Sequence, residues 1–268
     1  MTTTLPLWQV DAFAAARFQG NPAAVVPLET WLPDSQLQAI AAENNLAETA
    51  FLKRLGSGRW HLRWFTPAVE VKLCGHATLA AGYVIDRHLE PGVSPIVFET
   101  LSGELRVSRA GARYSLDFPA YPVTPVTDPA RIDAIAAALG QRPLEVWENV
   151  MVLALLPDAA AVRAARPDIR AVASLPGDGI ILTGAGAGSD GADFVSRYFV
   201  PQAGIDEDPV TGSAHCRLAP FWAARLGRRE FFARQVSARG GELWITLAGE
   251  RVHIAGQVQP YLEGRIEV

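Results

Sequence analysis

The feature that most limits how this chain can fold is a repeat concealed within it. Arg63-Trp-Phe-Thr-Pro67 is matched by Arg197-Tyr-Phe-Val-Pro201, and Gly75-His-Ala77 by Gly212-Ser-Ala214, with three extra residues in the second copy. From those glycines it is 28 residues to Gly103-Glu-Leu105 and 29 to Gly241-Glu-Leu243. Both copies then take eight residues to a glycine (Gly111, Gly249) and two more to an arginine (Arg113, Arg251). Four landmarks kept in order at such spacings imply a duplicated α/β unit. In each copy, strand-like runs rich in aromatic and β-branched residues surround one helical segment, apolar on its near side.

Taken in order, Leu7–Phe13 and Ala23–Val26 read as strands separated by a Gly20-Asn21-Pro22 turn. Asp34 or Ser35 is placed to cap a helix with Leu37, Ile40 and Ala41 on one face. Strands are expected at 47–52, 59–65, 96–100, 104–108 and 113–118, with a helix over Leu79–His88. Pro119, Pro122, Pro125 and Pro129 then interrupt any regular pattern and mark a linker. Beyond it come a helix at Ile132–Leu139 closed by Gly140, strands at 144–148 and 150–156, and a helical stretch at 159–172. Strands at 179–183 and 192–199, a helix over 213–226, and strands at 231–236, 243–247 and 251–254 complete the second copy. The expected domains are 1–118 plus 256–268, and 119–255. Strands outnumber helices too heavily for an alternating parallel sheet, so the expected class is α/β (α+β) with two lobes related by a pseudo-two-fold.

Composition narrows the function. Of 268 residues, 49% are hydrophobic and 19% charged, the balance of a globular protein with ample core. A net charge of −4 and a pI near 5.8 give no attraction to nucleic acid or anionic membrane. The basic residues are nearly all arginine, with only Lys53 and Lys72 as lysines. No apolar run approaches the roughly 18 residues of a membrane span, and the N-terminus lacks the pattern of a signal peptide. Two cysteines, Cys74 and Cys216, make neither a disulfide framework nor a zinc site, which fits a reduced, cytoplasmic protein.

The chemistry-bearing residues gather where the repeats place a helix start. Cys74, Gly75, His76 and Ala77 stand at the first, and Thr211, Gly212, Ser213 and Ala214 at the second. Unpaired N–H groups and the positive end of the dipole suit such starts to a carboxylate or phosphate. If the two starts face one another, they bracket a cleft where small molecules bind. Thr211 and Ser213 also serve as plain N-caps. Asp208 precedes Pro209, so its backbone is biased towards extended geometry. With Asp206 and Glu207 it reads either as a solvated acidic turn or as a ligand-binding carboxylate. Glu48 lies among apolar residues; it sits either on an outer strand face or in the cleft, where burial would suit it to take a proton from carbon. Cys216, one turn inside the second helix, reads as a small core residue. The glycine-rich stretch 184–191 joins strand to strand with no Lys-Ser/Thr following, so it reads as a hairpin connection and not a phosphate loop.

These residues make the chain similar to the PhzF-like proteins, named for the phenazine-biosynthesis isomerase, which share a fold with diaminopimelate epimerase. The resemblance runs nearly end to end. It is carried by Val10-Asp-Ala-Phe13, Gly20–Val26, Asn45-Leu-Ala-Glu-Thr-Ala-Phe51, Arg63–Pro67, Cys74-Gly-His-Ala-Thr78 and Asp208-Pro-Val-Thr-Gly-Ser-Ala-His215. It implies two barrel-like lobes, each with strands wrapped around a central helix, an active site between them, and often a homodimer. The family's acid/base glutamate falls on Glu48, its site histidine on His76, and its aspartate and serine on Asp208 and Ser213. No metal, nucleotide or organic cofactor is implied. Diaminopimelate epimerase-like enzymes carry a cysteine at both helix starts; this chain has Cys74 but Thr211, which argues against two-thiol epimerisation.

The expectation is therefore a cofactor-independent isomerase of a small carboxylated substrate, with Glu48, His76 and Asp208 catalytic. Two alternatives stay open: a racemase or epimerase using Cys74 or Glu48, and a non-catalytic small-molecule binder on the same fold.

Overall fold

The computed structural model describes residues 3–186 and 191–268. The chain divides into two units, Met1–Phe118 with His253–Val268, and Pro119–Val252. In the first, β1 (Thr4–Ala12) pairs antiparallel with β2 (Asn21–Leu28). Helix α1 (Asp34–Asn44) crosses over to β3 (Glu48–Gly56), parallel to β2. β4 (Arg59–Phe65) returns antiparallel and carries the two-residue β5 (Glu70–Val71). Helix α2 (Gly75–Val84), extended by a π-helical turn at Ile85–Leu89, leads to β6 (Ile96–Thr100), parallel to β4. The antiparallel strands β7 (Gly103–Ala110) and β8 (Arg113–Pro119) follow.

Alternation along the strands supplies two separate cores. Ala24, Val26, Phe51 and Phe65 pack with Leu37, Ile40 and Ala41 of α1. One residue over, Ala23, Val25, Ala50 and Leu52 are fully buried on the opposite face, against α2, which packs on β1, β2, β3 and β7. A side chain such as Phe51 contributes on the order of 1.5–3 kcal/mol by leaving water. Helix α2 is apolar all round because strands surround it, and Gly82 lets β7 come close: a Cβ there would stand 2.6 Å from Val107 Cγ1.

The second unit contains β9 (Thr124–Pro125), α3 (Pro129–Leu139), β10 (Glu145–Glu148), β11 (Val152–Leu155), α4 (Ala159–Ala164) and α5 (Ile169–Ala173). It continues with β12 (Ile180–Ala185), β13 (Phe194–Val200), β14 (Ile205–Asp208), α6 (Gly212–Leu226), β15 (Glu230–Gln235) and β16 (Gly241–Ala248). The chain crosses the boundary between the units within β17 (Arg251–Gly256), and β18 (Val258–Glu267) pairs antiparallel with β1.

The repeat read from sequence reappears as topology. β2 parallel to β3, antiparallel β4, parallel β6 and antiparallel β7 correspond to β11, β12, β13, β15 and β16 in the same senses. Arg63 makes a two-pronged pair with Glu70 at 2.7 and 2.8 Å, and Arg197 makes the same pair with Glu207 at 2.7 and 2.8 Å. The three extra residues of the second copy fall between Pro201 and Glu207, where a 3₁₀ turn, Pro201–Ala203, precedes β14.

Some local expectations need correction. The residue before α1 is Pro33, and no side chain caps the helix; the Asp34 carboxylate instead accepts from Arg63 at 2.9 Å. The 159–172 stretch is two short helices because Pro167 interrupts it, each capped by an aspartate, Asp158 and Asp168. The acidic run 206–208 is strand β14 and not a solvated turn, although Asp206 itself is exposed. β18 had no clear strand pattern, since Pro260 and Gly264 break its alternation. Gly140 does close α3 in the left-handed region, at φ 66°. Pro220 inside α6 lacks the N–H that would bond the Cys216 carbonyl, and Tyr121 N–H takes that carbonyl at 3.0 Å. The strands flanking the glycine-rich stretch are antiparallel neighbours, while residues 187–190 lie outside the described residues. Among the described residues no helix is long and apolar enough to cross a membrane.

Candidate active site

In the first unit, β3 and α2 bring Glu48, Cys74 and His76 together. Glu48 is the first residue of β3 and shares a face with Ala50 and Leu52, so its side chain points towards α2 and away from α1. The outer-face reading of Glu48 is thereby removed. Its Oε2 lies 3.1 Å from His76 Nε2. The direction of that contact falls short of a hydrogen bond: both atoms are buried without a well-aligned partner. His76, the second residue of α2, is 5% exposed. Its other nitrogen, Nδ1, stands 3.1 Å from the Asn21 side-chain amide and 3.5 Å from Cys74 Sγ. When the ring is charged both nitrogens carry protons, Nε2–H facing Glu48 and Nδ1–H facing the Asn21 amide, which then presents its oxygen.

Charge settles on the imidazole. Burial opposes a charged His76, but the Cys74 sulfur and the Glu48 carboxylate outweigh it and hold its pKa well above the ordinary value. The Cys74 thiol is itself pushed up to about 11 by burial and by Glu48, against the pull of His76 and the Ala77 N–H. It is therefore a neutral thiol near pH 7, and Glu48 is the partner that keeps His76 protonated. Glu48, Cys74 and His76 offer one oxygen, one sulfur and one nitrogen within 4.8 Å of one another, a donor set suited to a thiophilic ion. Metal binding would have to deprotonate that thiol, while Glu48 and His76 already balance each other's charge.

In the second unit the corresponding helix start is tied down. Thr211 precedes α6, but its hydroxyl does not cap the helix. It donates to Asp208 Oδ2 at 2.5 Å, which corrects the expectation of a plain N-cap. Gln235, fully buried on β15, accepts from Thr211 N–H at 2.8 Å and donates to Asp208 O at 2.7 Å and Thr211 Oγ1 at 3.1 Å. His215 donates through Nδ1 to Thr211 O at 2.7 Å, so Nε2 accepts from Ser196 Oγ at 3.3 Å. Burial pushes His215 down to about 4, and it is a neutral structural ring. Ser213 is partly exposed, with Gly212 and Ala214 buried beside it. Cys216 is a core residue, 1% exposed, its thiol pushed up to about 12 by burial.

Two residues escaped the sequence reading. Asn21 was only part of a turn motif, yet β2 aligns it with Ala12 and sets its amide on His76. Gln235 carried no signal; β-sheet register alone puts it opposite Ser196, beside the start of α6. The same register makes Gly179 the counterpart of Glu48: Thr49 opposes Phe65 as Ile180 opposes Phe199. The second unit therefore has neither the carboxylate nor the thiol of the first.

The family model of the phenazine biosynthesis-like proteins matches residues 10–264. An isomerase of Pseudomonas aeruginosa, described as uncharacterized, is 50% identical over 266 residues, covering 98% of this chain and 99% of that protein. The crystal structure of a PhzF family protein from Enterococcus faecalis superposes with a TM-score of 0.94 at 40% identity, covering 99% of this chain and 100% of that one. A hydroxyproline epimerase from Agrobacterium vitis shares the fold at a TM-score of 0.60 and 11% identity, covering 99% of this chain and 93% of that one. The architecture is the diaminopimelate epimerase-like fold, as expected.

Proposed function

The chain belongs to the phenazine biosynthesis-like (PhzF) isomerase family, and on that footing we propose that it moves a proton between two carbons of a small carboxylated substrate. One observation carries this reading: the buried Glu48 Oε2 and His76 Nε2 stand 3.1 Å apart, each without a well-aligned hydrogen bond. A carboxylate beside a protonated imidazole in a low-dielectric setting is equipped for general acid/base work. Glu48 takes a proton from one carbon; the electron pair left behind shifts the double bond and places charge on the substrate's oxygen. Glu48 then returns the proton to the second carbon, so that atoms and charge balance without a redox partner or cofactor. His76 donates through Nε2 and stabilises the transient anion. For the second unit we assign substrate binding to Asp208 and the α6 start, Gly212, Ser213 and Ala214, and a lesser binding role to Thr211.

A racemase acting through Cys74 is less well supported. Its thiol is held at about 11, and the hydroxyl at the counterpart position is engaged by Asp208. The homodimer and cytoplasmic location belong to the family reading, and sedimentation of the purified chain tests the first. The function itself is tested by incubating wild type and Glu48→Gln in D2O with a panel of unsaturated and amino carboxylates. Deuterium should enter a panel member with wild type and not with the variant, whose fold is checked by circular dichroism. Uptake that persists in Glu48→Gln overturns the assignment. Protection against heat without any uptake favours a binding protein.

A further inference from the structure

The two units differ in how far their polar atoms are satisfied, and the difference singles out Trp64. Strand register lines up Trp8, Val25, Ala50 and Trp64 in one row across β1, β2, β3 and β4. The next row runs Val10, Ala23, Glu48. Ala50 and Glu48 share the α2 face, so Trp64 stands on that face one strand over and one row along from Glu48, a diagonal an indole spans. Its other neighbour, Val71 on β5, leads within three residues to Cys74 at the start of α2.

Trp64 is 1% exposed, and its Nε1–H has no hydrogen-bond acceptor among the described residues. A buried N–H left without a partner is costly, about 1–3 kcal/mol, and such groups in folded proteins mostly meet ordered water or a ligand. Trp64 Nε1 thus joins Glu48 Oε2 and His76 Nε2 among the buried polar atoms without an aligned hydrogen bond, and register sets Trp64 diagonal to Glu48 on the α2 face. Trp8 and Trp60 also have buried, unpartnered N–H groups, but neither adjoins Glu48: Trp8 lies two strands away with its ring on His88 at 5.2 Å, and Trp60 is two rows further down β4.

The second unit supplies the control. Tyr198 occupies the place of Trp64, opposite Asp208 as Trp64 is opposite Val71. Its hydroxyl is used up on the Asp178 carbonyl, just as Thr211 is used up on Asp208. The repeat thus keeps a polar-tipped aromatic at this position twice and leaves its donor free only where the acid/base pair is.

We propose that Trp64 is a ligand-contacting residue, whose indole N–H donates to the same oxygen that His76 Nε2–H approaches. This rests on the reading of the Glu48–His76 pair as the reactive centre. It narrows the substrate class to acids with a carboxylate or carbonyl oxygen close to the C–H that Glu48 attacks, so that two neutral-to-cationic donors share the charge developing on that oxygen. With no substrate present, an ordered water takes the oxygen's place.

The test is a crystal structure of the full chain at a resolution that orders buried water, for wild type and Trp64→Phe. The expected result is a water or small molecule within about 3.2 Å of Trp64 Nε1 and also of Glu48 Oε2 or His76 Nε2, lost or displaced in Trp64→Phe. A Trp64 N–H bonded to a protein acceptor, facing a dry contact, or holding a water that touches neither Glu48 nor His76 overturns the proposal, as does an unchanged water in the variant. Should Trp64→Phe fail to fold, the wild-type structure alone decides. Failure here is distinct from failure of the isomerase reading, which depends on deuterium uptake in Glu48→Gln.

Discussion

The Thr211 hydroxyl donates to Asp208 Oδ2 at 2.5 Å, and that bond marks the second helix start as a held structure. Gln235 reinforces it with three further hydrogen bonds from a fully buried position. Replacing Gln235 by Leu keeps the bulk but removes the amide that bonds the Thr211 N–H, the Thr211 hydroxyl and the Asp208 carbonyl. The expected destabilisation is about 2–3 kcal/mol, read from urea unfolding at constant m-value. A loss below about 0.5 kcal/mol would mean that water replaces the amide.

In the first unit, Glu48→Gln removes the charge that opposes desolvation of His76. Its folded pKa lies above the ordinary value, so the pair stabilises the native state fully below about pH 6.5 and loses that contribution as pH rises through the raised value. The variant should bring the His76 titration, followed by NMR of the ring protons, to lower pH. A titration unmoved by the substitution would assign the raised value to Cys74 instead.

His215 predicts the opposite pH dependence. Its folded pKa of about 4 lies below the unfolded value, so its contribution is complete above about pH 6.5 and declines as pH falls towards 4. The loss amounts to about 3 kcal/mol. Unfolding free energies measured from pH 7 to 4 should fall more steeply for wild type than for His215→Gln. Parallel curves would show that other groups govern acid unfolding.

Gly82→Ala tests how closely β7 approaches α2. Helix propensity favours alanine by about 1 kcal/mol, but the new Cβ would stand 2.6 Å from Val107 Cγ1, on a buried and stiff side chain. Overpacking of about 1–3 kcal/mol should win, lowering Tm. Adding Val107→Ala should recover part of the loss, and a non-additive pair measured by calorimetry checks the contact.

The duplication, most strands, the helix starts at Gly75 and Gly212 and the Glu48 motif were legible in the sequence, because each is written in local spacing or periodicity. Spacing left Glu48 between two faces of its strand. Only the register of β3 against β2 and β4 turned it towards α2 and His76. Thr211 and Ser213 read as caps because cap residues are defined locally, whereas the acceptor that Thr211 uses is a carboxylate set by β14 and secured by a glutamine 24 residues further on. The contact of Asn21 with His76, the role of Gln235 and the unpartnered N–H of Trp64 carried no local signal. By itself, then, the sequence determined that two like units would form and which residues would stand at their helix starts. The tertiary structure decided which of those residues would be satisfied and which left open, because hydrogen-bond satisfaction in a buried site depends on neighbours that sheet register, not chain proximity, brings within 3 Å or so.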